Sequence, residues 1–342
     1  MNTNDNKVGS CEAVEGIRDV SNLEEISLLR IPNSGSGFKV VGYYPSHYGD
    51  IIDQVEWDKL THVNYAFAIP TTDGTIRSLK DTQLIRKLIT TAHNENVQVA
   101  LSVGGWSYLN EKLEKTFEQA TNTDKKCQTL ADNLLEIVDK YEFDGVDLDW
   151  EYPRAGVAAK QYECFMTFLR KGLTARSKFL TAAVIGSGSI GEGQTDYVLA
   201  MLDWVNVMAY DGNADDDTDN GSSHSPYSYT MECAQYWINT RGVDPARVVI
   251  GVPFYGRPNG TSYAEIVAKE ETAANIDSID FNGTTIYYNG LATMADKTKW
   301  ACGNAGGIMI WEITQDSKIE ELSLLGQINT TVLKHFPDLK KK

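Results

Sequence analysis

The chain has 342 residues, of which 42% are hydrophobic and 10% aromatic, an ordinary composition for a globular protein and too long for a small disulfide-stapled module. Its formal net charge of −16 would repel phosphate backbones and anionic membrane surfaces, so we expect no nucleic-acid partner. The sequence has no run of about 18 apolar residues, which argues against membrane insertion.

The five cysteines are odd in number, lie far apart and fall in no CxxC or Cys/His ligand spacing. They are Cys11, Cys127, Cys164, Cys233 and Cys302. Their spacing therefore implies neither a disulfide framework nor a zinc site.

The first 37 residues have weak periodicity apart from Leu23–Leu29 and end in a Pro-Asn-Ser-Gly-Ser-Gly stretch of linker composition. The polar residues Met1–Lys7 supply no apolar region of a secretory leader. We predict an N-terminal segment or linker at 1–37 and one main domain at 38–342.

Eight short apolar runs rich in β-branched and aromatic residues follow, and each is predicted to be a strand. They are Lys39–Tyr44, His62–Ala68, Val97–Val103, Gly145–Trp150, Phe179–Ile185, Trp204–Met208, Val248–Val252 and Gly307–Trp311. Stretches with helical spacing lie between most of them, at Asp81–Glu95, Thr123–Tyr141, Val157–Ala175, Thr230–Thr240 and Lys318–His335.

This alternation predicts an α/β fold with parallel strands, and eight such units in roughly 300 residues favour a closed (β/α)₈ TIM barrel. The alternative is an open doubly wound sheet, which would need a glycine-rich phosphate turn after the first strand. Gly42-Tyr43-Tyr44-Pro45 is no such turn.

The stretch Asp211–Gly221 is acidic and superficially resembles a calcium-binding loop. A loop beginning at Asp215 would require glutamate where Pro226 stands, so we interpret the stretch as a solvated acidic loop and expect no metal.

The segment Asp144–Glu151 (DGVDLDWE) carries the most chemical information. Because side chains alternate along a strand, Asp147, Asp149 and Glu151 share one face. In a barrel that face points into a packed interior, where unpaired or adjacent carboxylates are costly. Asp144 lies out of phase with the other three and is predicted to be structural.

A cation site would also explain such a row, but it would recruit histidines or further acids from neighbouring strands. Those strands offer instead an aromatic-rich set: Tyr65, Phe67, Ser102, Trp106, Tyr210 and Trp311. Aromatic faces stack on the apolar faces of sugar rings, so this set favours a carbohydrate cleft.

The segment DGVDLDWE resembles the DxxDxDxE signature of family 18 glycoside hydrolases, which comprise chitinases, some endo-β-N-acetylglucosaminidases and chitinase-like lectins. Further segments resemble the family's third, sixth, seventh and eighth strands, in family order from about Val40 to Trp311. They are Ser102–Trp106 (SVGGW), Met208–Asp211 (MAYD), Gly251–Arg257 (GVPFYGR) and Gly306–Trp311 (GGIMIW).

The resemblance implies a catalytic domain at 38–342 that needs no cofactor and acts on chitin or N-acetylglucosamine oligosaccharides, and we expect a monomer. It implies Glu151 as the general acid, which must stay protonated near neutral pH. Asp149 would hold the acetamido N–H of the substrate and share a proton with Asp147, and Tyr210 would bind the acetamido oxygen.

Trp311 would form the floor of the −1 subsite by the same resemblance. Further positions match residues that line the family's cleft or support its acids: Tyr43, Phe67, Ser102, Trp106, Met208, Asp211, Tyr255 and Arg257.

Many family members carry a large α+β insertion after the seventh strand, whereas Pro258–Ala305 leaves room for at most a short hairpin. We therefore expect a shallow groove and cleavage within chains. Two alternatives stay open: an endo-β-N-acetylglucosaminidase acting on N-glycan cores, and a chitin-binding lectin, which the presence of Glu151 disfavours. We expect a secreted or cell-surface location, although this chain shows no signal peptide.

Overall fold

The computed structural model describes residues 23–31, 37–212 and 223–339. Cys11 and most of the acidic stretch Asp211–Gly221 lie outside the described residues.

Eight parallel strands form a closed barrel, which confirms the (β/α)₈ prediction. They are β1 (Lys39–Pro45), β2 (His62–Ala68), β3 (Gln98–Gly104), β4 (Gly145–Asp149), β5 (Phe179–Ile185), β6 (Trp204–Met208), β7 (Val248–Pro253) and β8 (Gly307–Trp311). Neighbouring strands follow the order β1-β8-β7-β6-β5-β4-β3-β2. The strands are almost continuously buried because a parallel barrel covers both faces of each.

The α-helices are α1 (Leu23–Ser27), α2 (Thr82–Asn94), α3 (Glu114–Ala120), α4 (Asp124–Tyr141), α5 (Val157–Thr174), α6 (Asp196–Met201), α7 (Tyr227–Gln235), α8 (Tyr263–Lys269), α9 (Leu291–Asn304) and α10 (Leu324–His335). A π-helical turn, Tyr236–Thr240, follows α7. The predicted start of α10 at Lys318 is wrong. The Asp316 carboxylate accepts the backbone N–H groups of Leu324 and Leu325, and the Ser323 hydroxyl accepts that of Gly326.

Helix α4 shows how the pattern produces the packing. The Thr123 side chain accepts the N–H of Lys126 and caps its start, and Glu142 in the left-handed region ends it. Leu130, Leu134 and Val138 recur at helical spacing and are fully buried. The buried stripe holds α4 in place ahead of β4.

The chain divides into two compact units. Among the described residues, the first comprises 23–31, 64–90 and 98–205, and the second comprises 37–63, 91–97, 206–212 and 223–339.

In the first unit, the residues around α1 pack onto the domain. The Thr174 hydroxyl donates to the carbonyl oxygen of Leu29, and the N–H of Ile31 donates to Asp203. Asp203 also pairs with Arg170 at 2.8 Å, and both of these side chains are fully buried. Residues 23–31 are thus hydrogen-bonded to a buried ion pair.

In the second unit, the stretch after β7 is richer than predicted. Two short hairpins occupy it, Tyr255–Gly256 with Thr261–Ser262 and Ser278–Phe281 with Thr284–Tyr287, together with α8 and α9. The expectation of at most one hairpin is therefore wrong. Asn282 and Gly283 both adopt positive φ, which is the requirement of a tight Asn-Gly hairpin turn.

Cys164 takes part in a disulfide bond, whereas Cys127, Cys233 and Cys302 are free. The cysteine spacing did not predict this bond, because spacing carries no information about which residues meet in space. Within the described part of the chain, every helix is too short or too polar to cross a membrane.

Candidate active site

The predicted acid row lies at the carboxyl end of β4, where TIM barrels place their catalytic residues. Asp147 and Asp149 are 0% and 4% exposed, and Glu151, two residues past the end of the strand, is partly exposed. Two carboxyls are therefore enclosed and the third can be reached from solvent.

Both carboxylate oxygens of Asp147 accept hydrogen bonds from hydroxyls on the adjacent strands. Ser102 on β3 donates to Oδ2 at 2.9 Å, and Thr181 on β5 donates to Oδ1 at 2.6 Å. Ser102 and Thr181 are the register partners of Asp147, so the parallel pairing itself brings the three side chains together. Hydroxyl donors favour the ionised carboxylate.

Thr181 was not among the predicted residues. The alternation of β5 places Thr181 on the same face as Ala183, but only the register of β5 against β4 places that threonine beside Asp147.

Asp149 has the opposite environment. Burial raises its pKa well above 3.8, and the negative charges of Glu151 and Asp147 raise it further. Its Oδ1 atom is buried and has no hydrogen-bond partner among the described residues. Asp149 therefore favours the protonated form more than an exposed aspartate does.

Two consecutive glycines support this row. The N–H of Gly105 donates to the carbonyl oxygen of Asp149 at 2.8 Å. Gly104 has φ of +112°, and a Cβ there would lie 2.4 Å from the same carbonyl oxygen. A side chain at Gly104 would therefore push β3 away from the acids.

The predicted aromatic residues of the first unit differ in exposure. Tyr65 is buried against Phe143, Phe67 is partly exposed, and Trp106 is 47% exposed. The ring of Tyr152, which was not predicted, lies 6.5 Å from that of Trp106. The ammonium of Lys112 lies 4.4 Å from the centroid of the Trp106 ring, so the opposite face of the indole is the one left to stack on a sugar ring.

Asp144 accepts the backbone N–H of Val99 at 2.8 Å and lies 3.7 Å from the ammonium of Lys178. These contacts join the start of β4 to β3 and to the residue that precedes β5, which fits the predicted structural role of Asp144.

In the second unit, Tyr210 lies two residues past β6. It is nearly buried, and its hydroxyl donates to the sulfur of Met309 at 3.8 Å. The absence of a side chain at Gly251 makes room for it, because a Cβ there would lie 2.9 Å from the Tyr210 ring. Met208, at the end of β6, is partly exposed.

Asp211 is the centre of a polar cluster formed with Arg257, Tyr255 and His224. Arg257 donates two hydrogen bonds to its carboxylate, at 2.8 and 2.6 Å, and the Tyr255 hydroxyl donates one at 2.9 Å. His224 Nδ1 lies 3.1 Å from Oδ1. Burial by itself would raise the pKa of Asp211, but the hydrogen bonds and charges of His224 and Arg257 lower it well below its usual range.

His224 was missed by the sequence reasoning, since 13 residues separate it from Asp211 and no motif joins them. Tyr43 is buried and meets Trp311 edge-on, with ring centroids 5.3 Å apart. The peptide bonds Ala66-Phe67, Glu151-Tyr152 and Trp311-Glu312 are cis.

The predicted residues thus form two groups. The first unit brings together Ser102, Asp147, Asp149 and Glu151, and the second brings together Tyr210, Asp211, Tyr255 and Arg257, with Tyr43 and Trp311 as a separate pair. Within the described ranges, no group of three or more His, Cys, Asp or Glu is arranged to hold a metal ion.

The family model for glycosyl hydrolases family 18 matches residues 39–316. The chain is 26% identical over 284 residues to Probable chitinase 10 of Drosophila melanogaster, covering 72% of this chain and 12% of that protein. It is 27% identical over 311 residues to Chitinase A1 of Niallia circulans, covering 66% of this chain and 43% of that protein. It thus spans less than half the length of these two relatives.

Among solved structures, the GH18 chitinase ChiB from the chitin utilization locus of Flavobacterium johnsoniae is 30% identical, with a TM-score of 0.76. The match covers 87% of this chain and 94% of that one.

Proposed function

This chain belongs to family 18 of the glycosyl hydrolases, and from that membership we propose that it hydrolyses the β-1,4 linkages of chitin and of N-acetylglucosamine oligosaccharides. The observation that carries the proposal is the contrast within the acid row. Asp147 accepts hydrogen bonds from two hydroxyls, Asp149 is buried with a raised pKa, and Glu151 is the accessible member of the three.

In the proposed reaction, Glu151 protonates the glycosidic oxygen and later activates the attacking water. The nucleophile is the 2-acetamido carbonyl oxygen of the sugar itself, as in the substrate-assisted members of the glycoside hydrolases. The attack closes an oxazolinium ring and breaks the glycosidic bond. Because the attacking carbonyl oxygen and the anomeric carbon belong to the same sugar, much of the entropic barrier to their encounter disappears.

Asp149 then has two tasks, to accept the acetamido N–H and to balance the oxazolinium charge. The positive charge that forms in the sugar ring favours the ionised form of Asp149, which its surroundings disfavour in the resting protein. Its proton is shared with Asp147, so the two carboxyls titrate as a pair. The Tyr210 hydroxyl orients the acetamido oxygen in this scheme, and Trp311 supports the ring of the −1 sugar.

We propose that cleavage is endo-acting and that the configuration is retained. The support for endo action is the limited stretch after β7, which holds two short hairpins and two helices instead of a large α+β domain. Early loss of viscosity in a soluble chitin derivative, before much reducing sugar appears, is the expected result. A product stream of pure disaccharide from the first minutes would contradict it.

Action outside the cell is part of the proposal, because polymeric chitin is too large for uptake. The disulfide bond at Cys164 supports it, since such bonds persist in oxidising compartments.

The test of the function is Glu151→Gln, with Glu136→Gln on the exposed face of α4 as the matched control. The amide keeps the shape of the side chain but cannot deliver a proton, so turnover of chitin oligomers should fall by about 10²- to 10⁴-fold while oligomer binding persists. The control should match wild type. Retention of more than about a tenth of the wild-type rate would remove Glu151 from this role.

A comparison of two substrates with the wild-type protein distinguishes chitin from N-glycan cores. Wild-type protein should cleave chitin oligomers and leave a high-mannose glycoprotein intact. The reverse preference would replace the proposed substrate with N-glycan cores.

The mechanism is tested by sequencing the products of partly deacetylated chitosan. Every new reducing end should be N-acetylated, because only an acetylated sugar at −1 supplies the nucleophile. Frequent glucosamine at new reducing ends would show that a protein carboxylate attacks instead.

A further inference from the structure

The dipeptide His224-Ser225 lies against the end of β6, where Tyr210 and Asp211 begin. The N–H of Gly212 donates to the carbonyl oxygen of His224 at 3.0 Å, and the Ser225 hydroxyl donates to that of Ala209 at 2.7 Å. His224 Nδ1 contacts both the N–H and the carboxylate of Asp211. This dipeptide therefore fixes the backbone on both sides of Tyr210.

Lys297, in the middle of α9, holds the dipeptide in turn. Its ammonium donates to the carbonyl oxygen of Ser225 at 2.7 Å, to the Ser225 hydroxyl at 2.8 Å and to the Asn289 side-chain oxygen at 2.6 Å. The amide nitrogen of Asn289 donates to the same Ser225 carbonyl at 2.9 Å. Two of the three hydrogen bonds that the ammonium donates thus go to Ser225.

Burial of the Lys297 amine costs desolvation free energy, which a side chain that only fills space would not require. Lys297 is fully buried, and its three acceptors are neutral oxygens. Burial lowers its pKa to about 7, against the opposing effect of the Asp277 charge. The Asp277 carboxylate is itself bound by the N–H of Gly290 and the hydroxyl of Thr293. An apolar side chain of similar length would fill the same space without the cost of desolvating an amine.

We propose that Lys297 is a positioning residue for the hydrolysis: through Ser225 and His224 it sets the geometry of Tyr210 and Asp211. The proposal rests on the function assigned above to the Tyr210 hydroxyl. The chain of contacts runs from α9 to Ser225, from the Ser225 hydroxyl to Ala209, and from His224 to Asp211. Lys297 touches neither substrate nor acid in this scheme, and it acts on the reaction only through these residues.

The kinetic test compares Lys297→Met with Lys299→Met, an exposed lysine two positions away on the same helix. Tyr210 would hold the acetamido oxygen in line with the anomeric carbon, a requirement of the attack more than of substrate binding, so Lys297→Met should lower kcat by tenfold or more while KM changes less than threefold. Lys299→Met should leave both at wild-type values. Equal kcat for the two variants would overturn the proposal.

Ser225→Ala gives an independent reading if Lys297→Met folds poorly, because the alanine removes only one hydroxyl. It should lower kcat severalfold, and the Lys297→Met effect should become smaller in the Ser225→Ala background, since both changes remove the contact at the Ser225 hydroxyl while only Lys297→Met also removes the contact at the Ser225 carbonyl oxygen. Unchanged kcat in Ser225→Ala, or effects that multiply in full, would count against the route.

A readout without substrate separates this proposal from the proposed function. The chain has five histidines, so the ring resonance of His224 can be assigned by NMR from its loss in His224→Gln. Lys297→Met should shift this resonance and Lys299→Met should not, whether or not the protein hydrolyses chitin. An unmoved His224 resonance in Lys297→Met would show that Lys297 does not reach this cluster.

Discussion

Replacement of Thr181 by valine should disable the acid row while leaving its shape intact. Valine has nearly the volume of threonine but no hydroxyl, so the change removes the 2.6 Å hydrogen bond to Asp147 Oδ1. Thr181 and Asp147 are both fully buried, so no bulk water replaces the lost donor. The Ser102 hydroxyl still donates to Oδ2 of Asp147 in this variant.

A hydrogen bond to a charged group contributes about 1.5–3 kcal/mol. If the reaction requires ionised Asp147, that loss corresponds to a decrease in kcat/KM of about 10- to 100-fold, at about 1.4 kcal/mol for each factor of ten. The free energy of unfolding should fall by up to a similar amount.

The assay is release of a fluorophore from a chitotrioside, with urea unfolding measured in parallel. Thr181→Ser is the matched control, since it restores the hydroxyl while removing the methyl group, and it should retain most of the wild-type rate. A Thr181→Val protein as active as Thr181→Ser would refute the claim that this hydroxyl stabilises the ionised acid.

Asp149→Asn should raise the free energy of unfolding near pH 7 while abolishing most turnover. Because the pKa of Asp149 is raised in the folded state, folding takes up a proton that the unfolded chain has released, and wild-type stability falls as pH rises above about 4. Urea unfolding should therefore show that the stability advantage of the asparagine variant shrinks toward acid pH. Trp106→Ala should weaken binding of long chitin oligomers severalfold, measured by calorimetry, with a smaller change in thermal stability than a core substitution, because the indole is about half exposed. Arg257→Lys should raise KM for chitotetraose about tenfold, since lysine cannot reproduce the two hydrogen bonds to Asp211, and an unchanged KM would show that the Asp211 geometry is held by Tyr255 and His224 alone.

The fold could be predicted because eight strands and most of their helices carry strong periodic patterns. The acid row could also be predicted, since the two-residue period of a strand assigns Asp147, Asp149 and Glu151 to one face without any knowledge of the neighbours. The helices that were missed are mainly short, such as α6 and α8, where too few turns exist for a pattern to stand out.

The roles of the supporting residues Thr181 and Lys297 could not be predicted from the sequence, for a different reason. Thr181 looks like any β-branched strand residue, and its role follows from the register of β5 against β4. Lys297 occupies a helix whose apolar pattern is weak, so its burial could not be foreseen. In each case the chemistry depends on a meeting of elements that local patterns do not encode.

The hydrogen bonds of residues 23–31 show that the stable structure begins before the region of family similarity, although the two starting points are often treated as one. Similarity to the family begins at residue 39, whereas the hydrogen-bonded segment begins at least ten residues earlier, where Leu29 accepts from Thr174 and Ile31 donates to Asp203. A shortened version that starts at the first matched residue would keep every proposed catalytic group and yet strip one donor from the Asp203 carboxylate that neutralises Arg170. Loss of yield or of thermal stability in such a version would then reflect a weakened Arg170–Asp203 ion pair rather than a change in the active site.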